Sequence, residues 1–229
     1  MKSSPIINDA PHTMLLETIP KNLKKVVEVG TASGAMARAY KALSPESHYI
    51  GIEIFEEYYE LSKKTCDESY LANIENCEDI WPNIADCDGW ILGDVIEHLY
   101  DPWKLFHKIR KTIPSDGHIC CSIPNAQNWM LQAKLNIGDF RYVETGLLDK
   151  THIRWFTRQT ILELFKNTGF QIKSMRAKNY NAAAAKKYIQ IIGDFAELSK
   201  ANREIAVRDA LAFQYIIHAV PNPDYTIPK

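Results

Sequence analysis

At 229 residues the chain can bury one substantial hydrophobic core, the size of a single α/β domain. Hydrophobic residues make up 46% and charged residues 24%, and the formal net charge of −1 offers no field to draw in nucleic acid or anionic lipid. No stretch approaches the roughly 20 apolar residues that span a bilayer, and "MKSSPIINDAPHTMLLETIP" carries no long apolar core behind Lys2, so neither membrane insertion nor a secretory leader is expected and a cytoplasmic location is.

In chain order, a helix is expected around His12 to Ile19, then a β-branched strand in "KVVEV" and a helix through "AMARAYKAL". "YIGIEI" reads as the second strand and "EEYYELSKKTC" as the next helix, followed by a short strand near "IENCE". "GWILGDV" is the fourth strand. "DPWKLFHKIRKTI" puts Leu105, Phe106, Ile109 and Ile113 on one helical face, and "GHICCSI" is the fifth strand. Residues 124–156 show aromatic and polar residues with little sustained period and read as an insertion, a substrate lid. "TRQTILELFKNTGF" resumes as a helix capped by Thr157 and stopped by Gly169, and "QIKSMR" is a sixth strand. Ala182 to Lys200 reads as a helix with Tyr188, Ile191, Ile192, Phe195 and Leu198 on its buried side, and "LAFQYIIHAV" closes the chain as a long apolar strand before a Pro-rich tail.

Alternating strands and helices predict a doubly wound, mostly parallel sheet with helices on both faces, in one domain spanning 1–229. The five cysteines contain no Cys-x-x-Cys pair, which argues against a disulfide framework or a zinc site. Cys120 and Cys121, adjacent in a strand, point to opposite faces.

The chemistry-bearing stretch is "VVEVGTASG", residues 26–34. In an open parallel sheet the ligand lies beyond the carboxyl ends of the strands, so the turn after the first strand should hold a cofactor. A dinucleotide fingerprint wants glycine at the positions held by Gly30, Ala32 and Ala35, and only one fits. Read as Gly-x-Ala-x-Gly, the loop offers Gly30, Ala32 and Gly34, with Glu28 two places ahead. Glu53 ends the second strand about 20 residues on, where a carboxylate accepts from ribose hydroxyls.

These strings, with Glu78-Asp79 and "GDVIEHLYDPWKLF" in order after them, resemble the motifs of class I S-adenosylmethionine-dependent methyltransferases over about residues 12–176 plus the final strand. The resemblance is nearest to the branch of ubiquinone-biosynthesis O-methyltransferases and methyltransferases of glycan and secondary-metabolite pathways; "DVIEHLYDP" is its most specific part, and "GLLDKTHIRWFT" resembles a segment of glycan-linked members. It implies S-adenosyl-L-methionine as cofactor and a seven-stranded Rossmann-like sheet whose last strand runs antiparallel. It further implies that Gly30, Ala32 and Gly34 pass the methionine part, Glu28 organises the loop and faces the sulfonium, Glu53 holds the ribose, Asp79 the adenine amino group, and that Asp94 lines the pocket. Ala32 departs from the family's middle glycine.

Methyl transfer to a hydroxyl needs a positioned acceptor and removal of its proton, for which histidine is suited near neutral pH. Of seven histidines, His98 after the fourth strand and His152 in the lid stand at the expected site, either as base or as supporting residues. Asn125, Trp129, Arg154 and Trp155 are the candidate substrate contacts, with Phe140, Tyr142 and Phe156 adding aromatic character. Asp94, Glu97 and His98 raise the question of a metal. Glu97 and His98 are neighbours that cannot share one helix face, and no second carboxylate cluster follows, so no metal is expected. The chain reads as an enzyme that methylates a small-molecule acceptor, at a hydroxyl of a sugar, glycan precursor or other metabolite. N-methylation, a nicotinamide-dependent oxidoreductase and a non-catalytic cofactor-binding module are the alternatives, and a homodimer is compatible with the sequence.

Overall fold

A computed structural model describes residues 9–226. The first eight residues of the amino-terminal segment and the end of the Pro-rich tail lie outside the described residues. The elements, in order, are α1 (Thr13–Leu16), β1 (Lys25–Val29), α2 (Ala35–Leu43), β2 (His48–Glu53), α3 (Glu56–Ser62), β3 (Glu68–Leu71), α4 (Trp81–Ile84), β4 (Gly89–Gly93), α5 (Pro102–Thr112), β5 (His118–Pro124), α6 (Trp129–Asn136), α7 (Arg158–Asn167), β6 (Phe170–Asn179), α8 (Ala182–Leu198), α9 (Arg203–Leu211) and β7 (Ala212–Pro221).

The strands form one seven-stranded sheet in the order β3-β2-β1-β4-β5-β7-β6. β1 pairs in parallel with β2 and β4, β2 with β3, and β4 with β5, while β7 runs antiparallel between β5 and β6. The doubly wound sheet with an antiparallel last strand is therefore the architecture expected, and its order reverses beside β1. The period-2 alternation of a strand buried on both faces sets the packing. Val27, Val29, Ile50, Ile52, Trp90 and Leu92 face α5 and α7, whereas Val26, Tyr49 and Ile91 face α1 and α2. Cys121 falls in the first cluster and Cys120 in the second, as adjacent strand residues must. All five cysteines are free.

Three expectations needed correction. The third strand is Glu68–Leu71, not "IENCE"; Ile74–Asn76 forms a 3-10 turn because the Asn73 side chain accepts from the Glu75 amide. As a polar edge strand, β3 lacks the apolar run that marks the others. The helix α9 was not anticipated, since its apolar residues show no clean period. And on α8 the expected buried side is largely the exposed one: Ile191, Phe195 and Leu198 are 65%, 69% and 83% exposed, with Tyr188 also open and only Ile192 partly buried. α9 packs along the opposite, small-residue face, where Ala185 and Ala196 are buried. Small side chains let the two helices approach closely, and that contact decided the orientation. Among the described residues no helix is long and apolar enough to cross a membrane.

Candidate functional site

The loop between β1 and α2 takes the left-handed backbone region at three alternate positions, Gly30 (φ 73°), Ala32 (φ 46°) and Gly34 (φ 77°). Glycine is needed at the outer two: a Cβ on Gly34 would run into the Thr65 side chain, and one on Gly30 would stand 3.0 Å from Val95 Cγ2. Ala32 accepts a conformation that costs an L-residue about 1–2 kcal/mol. What holds it is Glu53. This carboxylate, 4% exposed at the end of β2, receives the Ala32 amide on Oε2 (2.9 Å) and the Ile54 and Phe55 amides on Oε1 (2.7 and 3.0 Å). Glu53 thus ties the loop to the start of α3. A carboxylate has about four acceptor directions; three are used here, and one, on Oε2, is left open.

Glu28 is buried in β1, and its Oε2 accepts from the Tyr49 hydroxyl at 2.9 Å. Burial, with Glu53 adding to it, pushes its carboxyl up to about 8. Asp94, at the tip of β4, also has a positive φ (54°). Its amide donates to the Ser122 hydroxyl (3.0 Å), while Oδ1 accepts from that hydroxyl (3.1 Å) and from the Gln214 side chain. Gln214 in turn bonds His12 at 3.0 Å. Ser122, Gln214 and His12 were missed from the sequence, because Ser122 and Gln214 reach Asp94 from strands distant in the chain and His12 reaches Gln214 from the amino-terminal segment. Asp79 lies exposed beyond the 3-10 turn. The turn of alternating positive-φ residues and the buried Glu53 carboxylate lie together where the strand order reverses, the place at which an open parallel sheet takes its ligand. No glycine pattern for a pyrophosphate is present.

The other half of the site joins the turn after β4 to the 124–156 segment. The amides of Ile153 and Arg154 donate to the Glu97 carbonyl (3.0 and 2.9 Å), stitching the segment to the 3-10 turn Ile96–His98. His98 Nδ1 lies 3.1 Å from the Thr151 carbonyl and His152 Nδ1 3.1 Å from the Leu147 carbonyl; a carbonyl only accepts, so both rings carry their proton on Nδ1. The rings meet edge to face, 4.9 Å between centroids. Glu97 is 1% exposed, and neither carboxyl oxygen has a hydrogen-bond partner among the described residues. Its burial, with Asp94 nearby, lifts the Glu97 carboxyl well above the usual range. Burial lowers His152 below the ordinary imidazole range, and His98 beside it acts the same way. A neutral imidazole with a free Nε2 lone pair can accept a proton near neutral pH.

The expected substrate contacts divide. Asn125 is fully buried, and its amide donates to the Asp209 and Ala212 carbonyls (2.7 and 2.8 Å) while its carbonyl accepts from Gln127. It pins the start of β7, and this geometry leaves it little to offer a ligand. Trp129 is also buried, with its ring 4.9 Å from Tyr188, where it packs α6 onto α8. Arg154 stays exposed, bonded to the Tyr100 carbonyl (Nε 2.9 Å) and stacked on Trp103. Trp155 stands 6.2 Å from the His152 ring and 5.5 Å from Phe140, which in turn lies 5.7 Å from Tyr142. Both Phe140 and Tyr142 are exposed, so an aromatic wall opens beside the histidine pair.

The adjacency argument against a metal also needs revision. Glu97 and His98 sit on a 3-10 turn, not a helix face, and His152 comes from the distant 124–156 segment, so Glu97, His98 and His152 bring their ligating atoms within 4.8 Å of one another.

No curated protein matches the chain. Among solved structures it is similar to a SAM-dependent methyltransferase from Archaeoglobus fulgidus, at 15% identity and TM-score 0.62, covering 87% of each chain. It is also similar to a possible histamine N-methyltransferase from Thermotoga maritima, at 13% identity and TM-score 0.60, covering 93% of this chain and 90% of that one. An O-methyltransferase of a Brevibacillus brevis polyketide synthase, solved with S-adenosyl-L-homocysteine, gives 13% identity and TM-score 0.58 over 94% of this chain and 73% of that one. Such identities speak for a shared fold. Residues 7–174 match the family described as a methyltransferase domain, which is most of the chain, and the protein belongs to that family.

Proposed function

We propose that the protein transfers the methyl group of S-adenosylmethionine to a hydroxyl of a small molecule, with sugars and glycan precursors as the leading acceptors. The single observation that carries the donor half is the loop of alternating positive-φ residues closed by Glu53, in a chain of the methyltransferase-domain family. Gly30, Ala32 and Gly34 would pass the methionine part, Glu53 one ribose hydroxyl, Asp79 the adenine and Asp94 the pocket floor. The bound cofactor supplies an activated methyl on a sulfonium. The protein then has to bring an acceptor oxygen into line, keep competing water out and deal with the hydroxyl proton.

The imidazoles of His98 and His152, with Nδ1 against backbone carbonyls and Nε2 turned away from them, support the hydroxyl reading, since a hydroxyl acceptor has a proton to be removed. The exposed rings of Phe140 and Tyr142, with the partly buried Trp155 beside Phe140, support a flat or ring-shaped acceptor. A structure described as a possible histamine N-methyltransferase is among the similar ones, so nitrogen acceptors belong in the same screen. The test is transfer of tritium from labelled S-adenosylmethionine across sugar, phenol and amine acceptors, with calorimetry of S-adenosylhomocysteine against NAD. Binding of the dinucleotide and not of S-adenosylhomocysteine would overturn the donor assignment; transfer only to amines would overturn the hydroxyl.

A further inference from the structure

We propose that Glu97, His98 and His152 form a binding site for one first-row divalent cation, open toward the acceptor. Its chemical use rests on the hydroxyl-methylation reading above; its existence does not.

Three lone-pair donors converge there without a donated hydrogen between them. Both imidazoles set Nδ1 against backbone carbonyls, of Thr151 and Leu147, which leaves Nε2 as the atom each can offer a cation. Ligating histidines are held in this way, by a carbonyl or carboxylate on the far nitrogen that fixes the tautomer. Beside them lies a carboxyl group that is almost wholly buried and has both oxygens unpartnered among the described residues. A buried polar group of this kind costs stability unless something completes it. A proton on Glu97 does not: Oε1 and His152 Nε2 are 3.9 Å apart, too far for a hydrogen bond. A cation completes all three groups at once.

The geometry is near that of a site. The donor atoms lie within 4.8 Å of one another, whereas bonds of about 2.1 Å bring donors to roughly 3–4 Å. Side-chain rotation of His98, which is only half-buried, can close that difference. The backbone frame is already set, since the Ile153 and Arg154 amides clamp the lid to the turn that carries Glu97 and His98. Two imidazoles and one carboxylate suit zinc, iron, cobalt, nickel or manganese better than magnesium or calcium, which prefer all-oxygen sites. Three protein ligands leave a coordination position free, as in catalytic rather than structural sites. An acceptor hydroxyl in that position would lose its proton to solvent more readily. Its oxygen would then form the new C–O bond as the methyl C–S bond breaks, releasing S-adenosylhomocysteine. On this reading the two histidines act on the proton through the cation and do not take it up themselves.

The test uses the full chain, stripped with chelator and desalted, without cofactor. Zn²⁺ is titrated by calorimetry and Co²⁺ by visible absorption. The expected result is one equivalent bound, with cobalt bands of an imidazole-ligated centre. Glu97→Gln, His98→Gln and His152→Ala should each weaken binding at least about tenfold, while His107→Ala, outside the cluster, leaves it unchanged. Circular dichroism checks folding of each variant, and His98→Gln, at the half-exposed position, serves if His152→Ala disturbs the lid. Less than one equivalent, or cobalt bands indifferent to His98→Gln and Glu97→Gln, would overturn the site. S-adenosylhomocysteine titrated into the same stripped protein keeps the two readings apart. Its binding without cation binding sinks the metal alone, and cation binding without it sinks the donor assignment alone.

Discussion

The two halves of the candidate site are built on opposite plans. On the donor side, the loop after β1 and the end of β2 satisfy their own polar groups: Glu53 takes three amides, and Glu28 takes the Tyr49 hydroxyl. On the acceptor side, Glu97 is buried with both oxygens unpartnered among the described residues, and the His98 and His152 rings stand beside it. A self-satisfied frame can be rigid before any ligand arrives. An unsatisfied cluster carries a cost that persists because the surrounding packing imposes it, and such costs gather where chemistry is done. The difference predicts that damage to the donor side shows first in stability and cofactor affinity, and damage to the acceptor side in turnover.

The largest effect is expected on the acceptor side. His152→Ala should lower methyl transfer by about 10²–10⁴, with S-adenosylhomocysteine affinity by calorimetry nearly unchanged. A variant that loses cofactor affinity in step with turnover would erase the division between the halves.

Glu53→Ala tests the donor side. It leaves three backbone amides without an acceptor, so the fold should lose at least about 2 kcal/mol and the cofactor at least about tenfold in affinity. Thermal unfolding with and without S-adenosylhomocysteine reads both. Unchanged thermal stability would mean that the carboxylate does not frame the loop.

Glu28 sharpens the comparison through pH. Its folded-state carboxyl is raised, to about 8 from an ordinary 4.5, so the unfolded chain gives up the proton first. The stability tied to that proton is therefore present below about pH 4.5 and lost as pH rises toward about 8, by up to roughly 1.4 kcal/mol per unit. Glu28→Gln should flatten this slope in urea titrations run across that window. An equal slope in the variant would place the pH dependence elsewhere.

The smallest effect concerns Ala32. Ala32→Gly relieves its left-handed backbone but frees the unfolded chain, for a net gain of up to about 1 kcal/mol. Ala32→Val puts a branched side chain at the same φ and should lower both stability and S-adenosylhomocysteine affinity. Normal cofactor binding by the valine variant would mean that the loop does not cradle the ligand.

Much of this was written locally in the chain. The apolar runs of β1, β2, β4 and β5, the turn glycines Gly30 and Gly34, the Thr157 cap and the stop at Gly169 are short-range features, and the alternation of strand and helix follows from them. So does Glu53, whose place at the end of β2 is fixed by counting along one strand. What the sequence could not determine is which distant groups meet. Asn125 and Trp129 looked available for substrate until the packing of α6, α8 and α9 consumed them. The apolar stripe of α8 has the spacing of a buried face, yet α9 claimed the small-residue side instead. Glu97 and His98 raise the question of a metal in the sequence and their adjacency argues against it, because His152 lies in a segment that only the folded sheet edge brings back to them. Periodicity and turn chemistry act over a few residues, whereas the acceptor site depends on contacts that exist only once the sheet has closed.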